Sequence, residues 1–214
     1  MKSTGRRLIA AMGLVLAVLA GCAPQMDRYR GRLLHVNDRF TPEELSDQEL
    51  VVFPLIRNSR FDTTAAFSPF VLAQRLRKTR PDLGVYFKEE FERRLLDVYP
   101  RDSLDIFYDR LFKNDIIALQ TSDSAWASMP GRYALVLRIR DAGRVKDFKG
   151  ITRRKLYMEA ELWDASTAEV VWRAEVSGFD PDASTSDAEF VLSGIEEAYA
   201  LLPPYKPALH EQEW

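Results

Sequence analysis

Two strand-length stretches with two-residue alternation, joined by a short polar turn, constrain the fold of this chain more than any other feature. Leu156, Met158, Ala160 and Leu162 point one way, and Tyr157, Glu159, Glu161 and Trp163 point the other. Val170, Trp172, Ala174 and Val176 form the apolar side of a returning strand, with Arg173 and Glu175 opposite. A period of two is the pleat of a β-strand. Parity then restricts the register, because Leu162 and Trp172 share a face only if paired residue numbers sum to an even value. Arg173 therefore lies across from Glu161 or Glu159, a favourable cross-strand pair in either case. The connecting turn is Asp164–Glu169, with Ala168 where such turns usually carry glycine. Either this turn needs no positive φ or it carries strain there.

Other segments give a coarser reading. Thr41-Pro42-Glu43-Glu44 has the form of a capping box with proline at the first helical position. The β-branched run Leu50–Ile56 has strand length, and Pro54 within it indicates an edge or a strand end. Ser68-Pro69 opens a helix with Phe70, Ala73 and Leu76 on one face, closed before Pro81. Asp82 is placed to cap another helix, whose Leu83, Phe87, Phe91, Leu95 and Val98 make an amphipathic stripe ending before Pro100. A shorter helix carries Leu104, Phe107, Tyr108, Leu111 and Phe112. Tyr133, Leu135, Leu137 and Ile139 alternate with Ala134, Val136, Arg138 and Arg140, as in a strand. Ser186-Asp187-Ala188-Glu189 is a second capping box, opening a helix with Val191, Ile195, Ala198 and Leu202 buried. The order strand, helices, strand, hairpin, helix predicts an α/β (α+β) domain with a single mixed sheet of about four to five strands and helices packed on it.

The N-terminus is an address. Lys2, Arg6 and Arg7 precede an uncharged apolar run from Leu8 to Ala20. At ~1.5 Å per residue it spans only about 20 Å, short of a ~30 Å hydrocarbon core, as in the h-region of a signal peptide. The run ends in Leu19-Ala20-Gly21-Cys22, which resembles the lipobox of bacterial lipoproteins. That resemblance implies a diacylglyceryl thioether and an N-acyl chain (palmitate) on Cys22 after cleavage, and anchoring of the chain to a lipid bilayer. Ala23, where an Asp commonly retains such proteins in the inner membrane, implies the outer membrane with the domain in the periplasm, or the plasma membrane if the source has one membrane. The expected divisions are a signal peptide over 1–21, a lipidated N-terminus and tether over 22–40, with Leu33-Leu34 against the domain, one periplasmic domain over 41–205, and a tail over 206–214.

The hairpin is similar to a "D-x-x-T-G-E-V-x-W" pattern. One family with that pattern builds β-propellers, which require repeated blades, whereas the motif occurs once here. The other is a group of periplasmic lipoproteins resembling the curli-secretion channel lipoprotein, the N-terminal domain of the Tol-system propeller protein, and lipoprotein activators of peptidoglycan synthases. Val51-Val52-Phe53-Pro54, Arg132–Val136 and the hairpin match that group in order. The departures are Ala168 and a longer helical middle. A rival resemblance is to the auxiliary lipoprotein of ABC-type lipid-transport systems, although that family's "Y-L-D-R-P" motif is absent.

Chemistry is sparse by comparison. The chain has one cysteine and two histidines, His35 and His210, at opposite ends. No metal, phosphate-loop or nucleophile-elbow motif occurs. Asp102, Asp105 and Asp109, at helical spacing, fit a solvated face. Charge placement is the unusual feature. From Arg138 to Lys155 eight basic residues stand against two acids, and from Asp164 to Trp214 eleven acids stand against two bases. The basic stretch reads either as a solvated loop facing an acidic helix or as a binding site for an anionic partner, made by Arg144, Lys146, Lys149, Arg153, Arg154 and Lys155. The near-neutral overall balance and the compartment disfavour nucleic acid. The resulting expectation is a non-catalytic envelope lipoprotein with no cofactor beyond the lipid on Cys22. It acts with an envelope protein partner in secretion, surface-structure assembly or wall synthesis, and self-association stays open. The alternative is the lipid-transport auxiliary.

Overall fold

The computed structural model describes residues 28–45, 48–58, 60–146, 150–180 and 186–203. The expected signal peptide, Cys22, Lys149 and His210 lie outside these residues, as does the expected tail. Among the described residues eight strands form one mixed sheet: β1 (Tyr29–Val36), β2 (Glu49–Val52), β3 (Ile56–Arg57), β4 (Arg60–Phe61), β5 (Gly84–Phe87), β6 (Tyr133–Lys146), β7 (Thr152–Asp164) and β8 (Glu169–Asp180). Six helices accompany them: α1 (Pro69–Thr79), α2 (Lys88–Val98), α3 (Arg101–Lys113), α4 (Ile116–Gln120), α5 (Asp123–Ala127) and α6 (Asp187–Ala200). The main path runs β1-β8-β7-β6-β2-β5, and the two-residue strands β3 and β4 attach beside β6. The class matches the sequence reading, and the sheet is larger than expected.

The hairpin has the register that parity requires. Leu162 pairs with Trp172 and Glu161 with Arg173, whose guanidinium lies 2.8 Å from the carboxylate. A bulge after Leu162 carries the strands into the turn, where Ala168 has φ 56°. The turn thus holds an alanine in the left-handed region that favours glycine.

Both faces of the sheet are covered. Leu135, Leu137, Met158, Ala160, Trp172 and Ala174 pack under α1 and α6. Val51, Phe53, Ala134, Val136 and Trp163 pack under α2 to α5. Trp126 of α5 stacks on Trp163 at 5.2 Å and donates its indole N–H to the Leu119 carbonyl at 2.7 Å. Ser68 and Ser186 cap α1 and α6 as read, accepting from the Val71 and Glu189 N–H groups. Glu189 itself turns to Arg75, which bridges α1 to α6 through Glu189 and Glu196 at 3.0 and 2.8 Å. Two buried arginines close helix ends, where carbonyl oxygens lack partners. Arg138 donates to the Leu111 and Phe112 carbonyls of α3, and Arg80 donates to the Leu202 and Pro203 carbonyls past α6.

Three expectations are corrected. Leu83 to Phe87 do not continue a helix. Gly84–Phe87 is a strand, parallel to β2, and the helix begins at Lys88 with no side-chain cap. Asp82 instead holds Arg80, at 2.7 Å. On α1 the buried face is Leu72, Ala73 and Leu76, and Phe70 is exposed. Within the stretch read as tether, Tyr29–Val36 is the edge strand against β8, with Leu33 and Leu34 exposed and the Tyr29 hydroxyl donating to the Phe190 carbonyl at 2.6 Å. Every residue from Arg30 to Val36 is exposed, so no buried face imposes an alternating pattern on its sequence.

A chain starting at Asn37 should therefore be less stable in urea than one starting at Arg28, by at least ~2 kcal/mol. Equal midpoints would show that the strand contributes nothing.

Candidate interaction site

Among the described residues the basic stretch is not a loop. β6 and β7 pair without a break from Tyr133↔Asp164 to Lys146↔Thr152, apart from one bulge near Arg140, so the cations stand on a long antiparallel ribbon. β8 accompanies β7 as far as Arg154↔Asp180. Alternation sends Arg154 to the face covered by α6 and sends Arg153 and Lys155 to the opposite face.

Most of the ribbon's cations are met from within the domain. Arg154 and Asp180 form a buried ion pair, 4% and 0% exposed, and the Arg154 guanidinium lies 5.1 Å from the Phe190 ring centroid. Arg144 contacts both carboxylate oxygens of Asp187 at 3.1 Å, and Arg154 approaches the same carboxylate at 3.4 Å. The Arg144 hydrogen bonds, with a smaller contribution from Arg154, hold the Asp187 carboxyl below the usual carboxylate range. Asp187 is also the first residue of α6, where a negative charge suits the helix dipole. Lys155 pairs with Asp141, and Arg140 with Glu159 at 2.6 Å. Arg153 lies 5.4 Å from the Phe179 ring centroid, and Lys146 is exposed near the tip. Arg144 and Arg154 are thus tied into one electrostatic network with Asp180 and Asp187, and Lys155 is paired within the ribbon on its other face.

A cleft of about 400 Å³ opens between the ribbon, the start of α6 and the turn before α1. Ala66, Phe67, Ala188 and Val191 supply apolar wall, and Arg57, Arg144 and Lys155 stand around it. Arg57 is held 3.4 Å from Asp62, with its guanidinium 5.3 Å from the Phe67 centroid. The cleft joins segments far apart in the chain, so Arg57 and Phe67 had no local signal in the sequence. Asp180 had one, as the acid at the end of an alternating strand that started from an acidic turn. His35 lies on β1, and among the described residues no group of three or more His, Cys, Asp or Glu side chains is placed to hold a metal ion. No helix among them is long and apolar enough to cross a membrane.

The chain is thus a single mixed sheet between two helical layers, with an ion-paired ribbon and a cleft at one end. No family model matches it, and a search of curated proteins finds no match. Among solved structures, it is similar to the PelC dodecamer from Paraburkholderia phytofirmans, at 15% identity and a TM-score of 0.41, over 79% of this chain and 93% of that one. It is similar to lipoprotein GNA1162 from Neisseria meningitidis at 12% identity and a TM-score of 0.39, over 71% and 97%. Protein XCC0632 from Xanthomonas campestris follows at 13% identity and a TM-score of 0.36, over 78% and 83%.

Replacing Asp180 with Asn removes the buried carboxylate, leaves Arg154 the 3.4 Å contact to Asp187 and should cost ~3–5 kcal/mol in urea unfolding. The double change Arg154→Met with Asp180→Leu should recover most of that loss. A single-variant cost below ~1 kcal/mol would show that the buried pair does not hold the ribbon.

Proposed function

We propose that this chain is a lipid-anchored, non-catalytic accessory component of an envelope assembly, held on the outer membrane by an acylated Cys22 with its domain in the periplasm. The observation that carries this reading is the N-terminal charge, the apolar run and Leu19-Ala20-Gly21-Cys22 in register. A thiol suits that modification because a thiolate is a good nucleophile toward a lipid donor. Two or three acyl chains, at ~0.8 kcal/mol per buried CH₂, hold a domain stably on a bilayer. The binding role is supported by the arrangement of charge. The cations beside the cleft are matched by Asp187, Asp62 and Asp141, an arrangement suited to a rigid scaffold.

A second reading, an auxiliary lipoprotein of lipid transport, is favoured by the cleft's apolar wall. Native mass spectrometry of the purified domain separates the two: a co-purifying phospholipid supports lipid transport, and its absence supports the assembly role.

Cells fed a clickable palmitate analogue should label the wild-type chain and leave Cys22→Ser unlabelled, with the variant lost from the membrane fraction. Crosslinked cells should return an envelope protein with the wild type. An unlabelled wild-type chain would overturn the anchor.

A further inference from the structure

β1 changes where the anchor holds the domain. Tyr29, at its start, aligns with Gly178 of β8, which aligns with Leu156 of β7, which aligns with Ala142 of β6. The Phe179 N–H donates to the Arg28 carbonyl at 2.9 Å, so the incoming chain runs beside the end of β8. From that row the ribbon continues four positions to Lys146↔Thr152, about 13 Å at ~3.3 Å per residue. The other end of the hairpin, Asp164, is eight positions away in the opposite direction, about 26 Å. Only six residue steps separate Arg28 from Cys22, at most about 20 Å of chain. A short leash therefore leaves the domain at the end from which the ribbon tip projects.

That end has the chemistry of a membrane-interface surface. Ile151 and Phe179 are 47% and 46% exposed, large apolar side chains on an otherwise polar ribbon. Arg153 lies against the Phe179 ring, and Lys146 and Arg28 are exposed beside them. Apolar side chains entering the headgroup region, with Lys and Arg around them, are how peripheral segments bind anionic bilayers.

We infer that the described end of the ribbon, Lys146 and Ile151–Arg153, together with Phe179, docks on the anionic phospholipid surface of the membrane that carries the anchor. Ile151 and Phe179 enter the interface, while Arg28 and Lys146 meet phosphates. The inference rests on the acylation of Cys22 proposed above. Docking fixes the orientation of the domain, turning the Asp164–Glu169 end and the helices on that side toward the periplasm, where an assembly partner reaches them.

The test uses the mature acylated chain in vesicles. With Cys22 acylated, an added cysteine is the only thiol, so Ile151→Cys and Thr167→Cys each carry one fluorescent probe at opposite ends of the hairpin. In vesicles of phosphatidylglycerol and phosphatidylcholine with nitroxide-bearing lipid, quenching at position 151 should exceed that at 167 several-fold. In pure phosphatidylcholine that excess should shrink. Lys146→Glu with Arg28→Glu, both exposed positions, should lower the docked-to-undocked ratio by about tenfold or more while the protein still sediments with the vesicles. Equal quenching at the two positions, or an excess indifferent to phosphatidylglycerol, would overturn docking with the anchor reading intact. Absence of the acyl mass on Cys22 by mass spectrometry would remove both.

Discussion

The buried ion pair between Arg154 and Asp180 joins the two unusual stretches of this sequence. Desolvating a guanidinium and a carboxylate is costly, and the cost is offset only when the two charges meet with good geometry. That requirement keeps β8 alongside β7 to its last residue and ties the ribbon to the central sheet. Asp187 then brings the start of α6 onto Arg144 and the same Arg154. An excess of cations in one stretch and of acids in the next is thus largely cancelled inside one domain. A strongly charged loop and a strongly charged helix become parts of one rigid surface.

Features set by local pattern were legible in the sequence. The β7–β8 register follows from period-two alternation and parity, and the starts of α1 and α6 follow from Ser-Pro and a capping box. What escaped was set by distant neighbours. Leu83, Phe87 and Phe91 have helical spacing, yet residues 84–87 pair with β2, because the free edge of that short strand offers hydrogen bonds a local pattern does not reveal. β1 is nearly unreadable, since its one neighbour, β8, lies about 140 residues later in the chain. The ribbon looked like a loop because Gly143 and a series of cations interrupt its apolar pattern, while its pairing depends on the register established further down β6 and β7. The candidate site was legible as charge and illegible as geometry. The basic residues were identifiable, but their assignment to internal partners required α6 and β8 to be placed.

Those placements change the meaning of the basic stretch. Arg138 caps a helix, Arg144 and Arg154 hold α6, and Lys155 pairs within the ribbon. The residues nearer the tip are Lys146, Ile151 and Arg153, with Phe179 beside them. The start of the edge strand β1, at Tyr29, lies beside that end of the ribbon. The start of β1 and a charged stretch more than 100 residues later thereby lie at the same end of the sheet.

A rigid, paired ribbon continuing the sheet is what fixes the place of the basic stretch. Hydrogen–deuterium exchange on the purified domain measures this at residues 141–146 and 152–156. Ladder amides there should exchange slowly, with protection approaching that of the central β7 residues 157–162, and Asp180→Asn should remove that protection while sparing the turn-proximal half of the hairpin. Exchange at the rate of an unstructured loop in the wild-type chain would contradict the account.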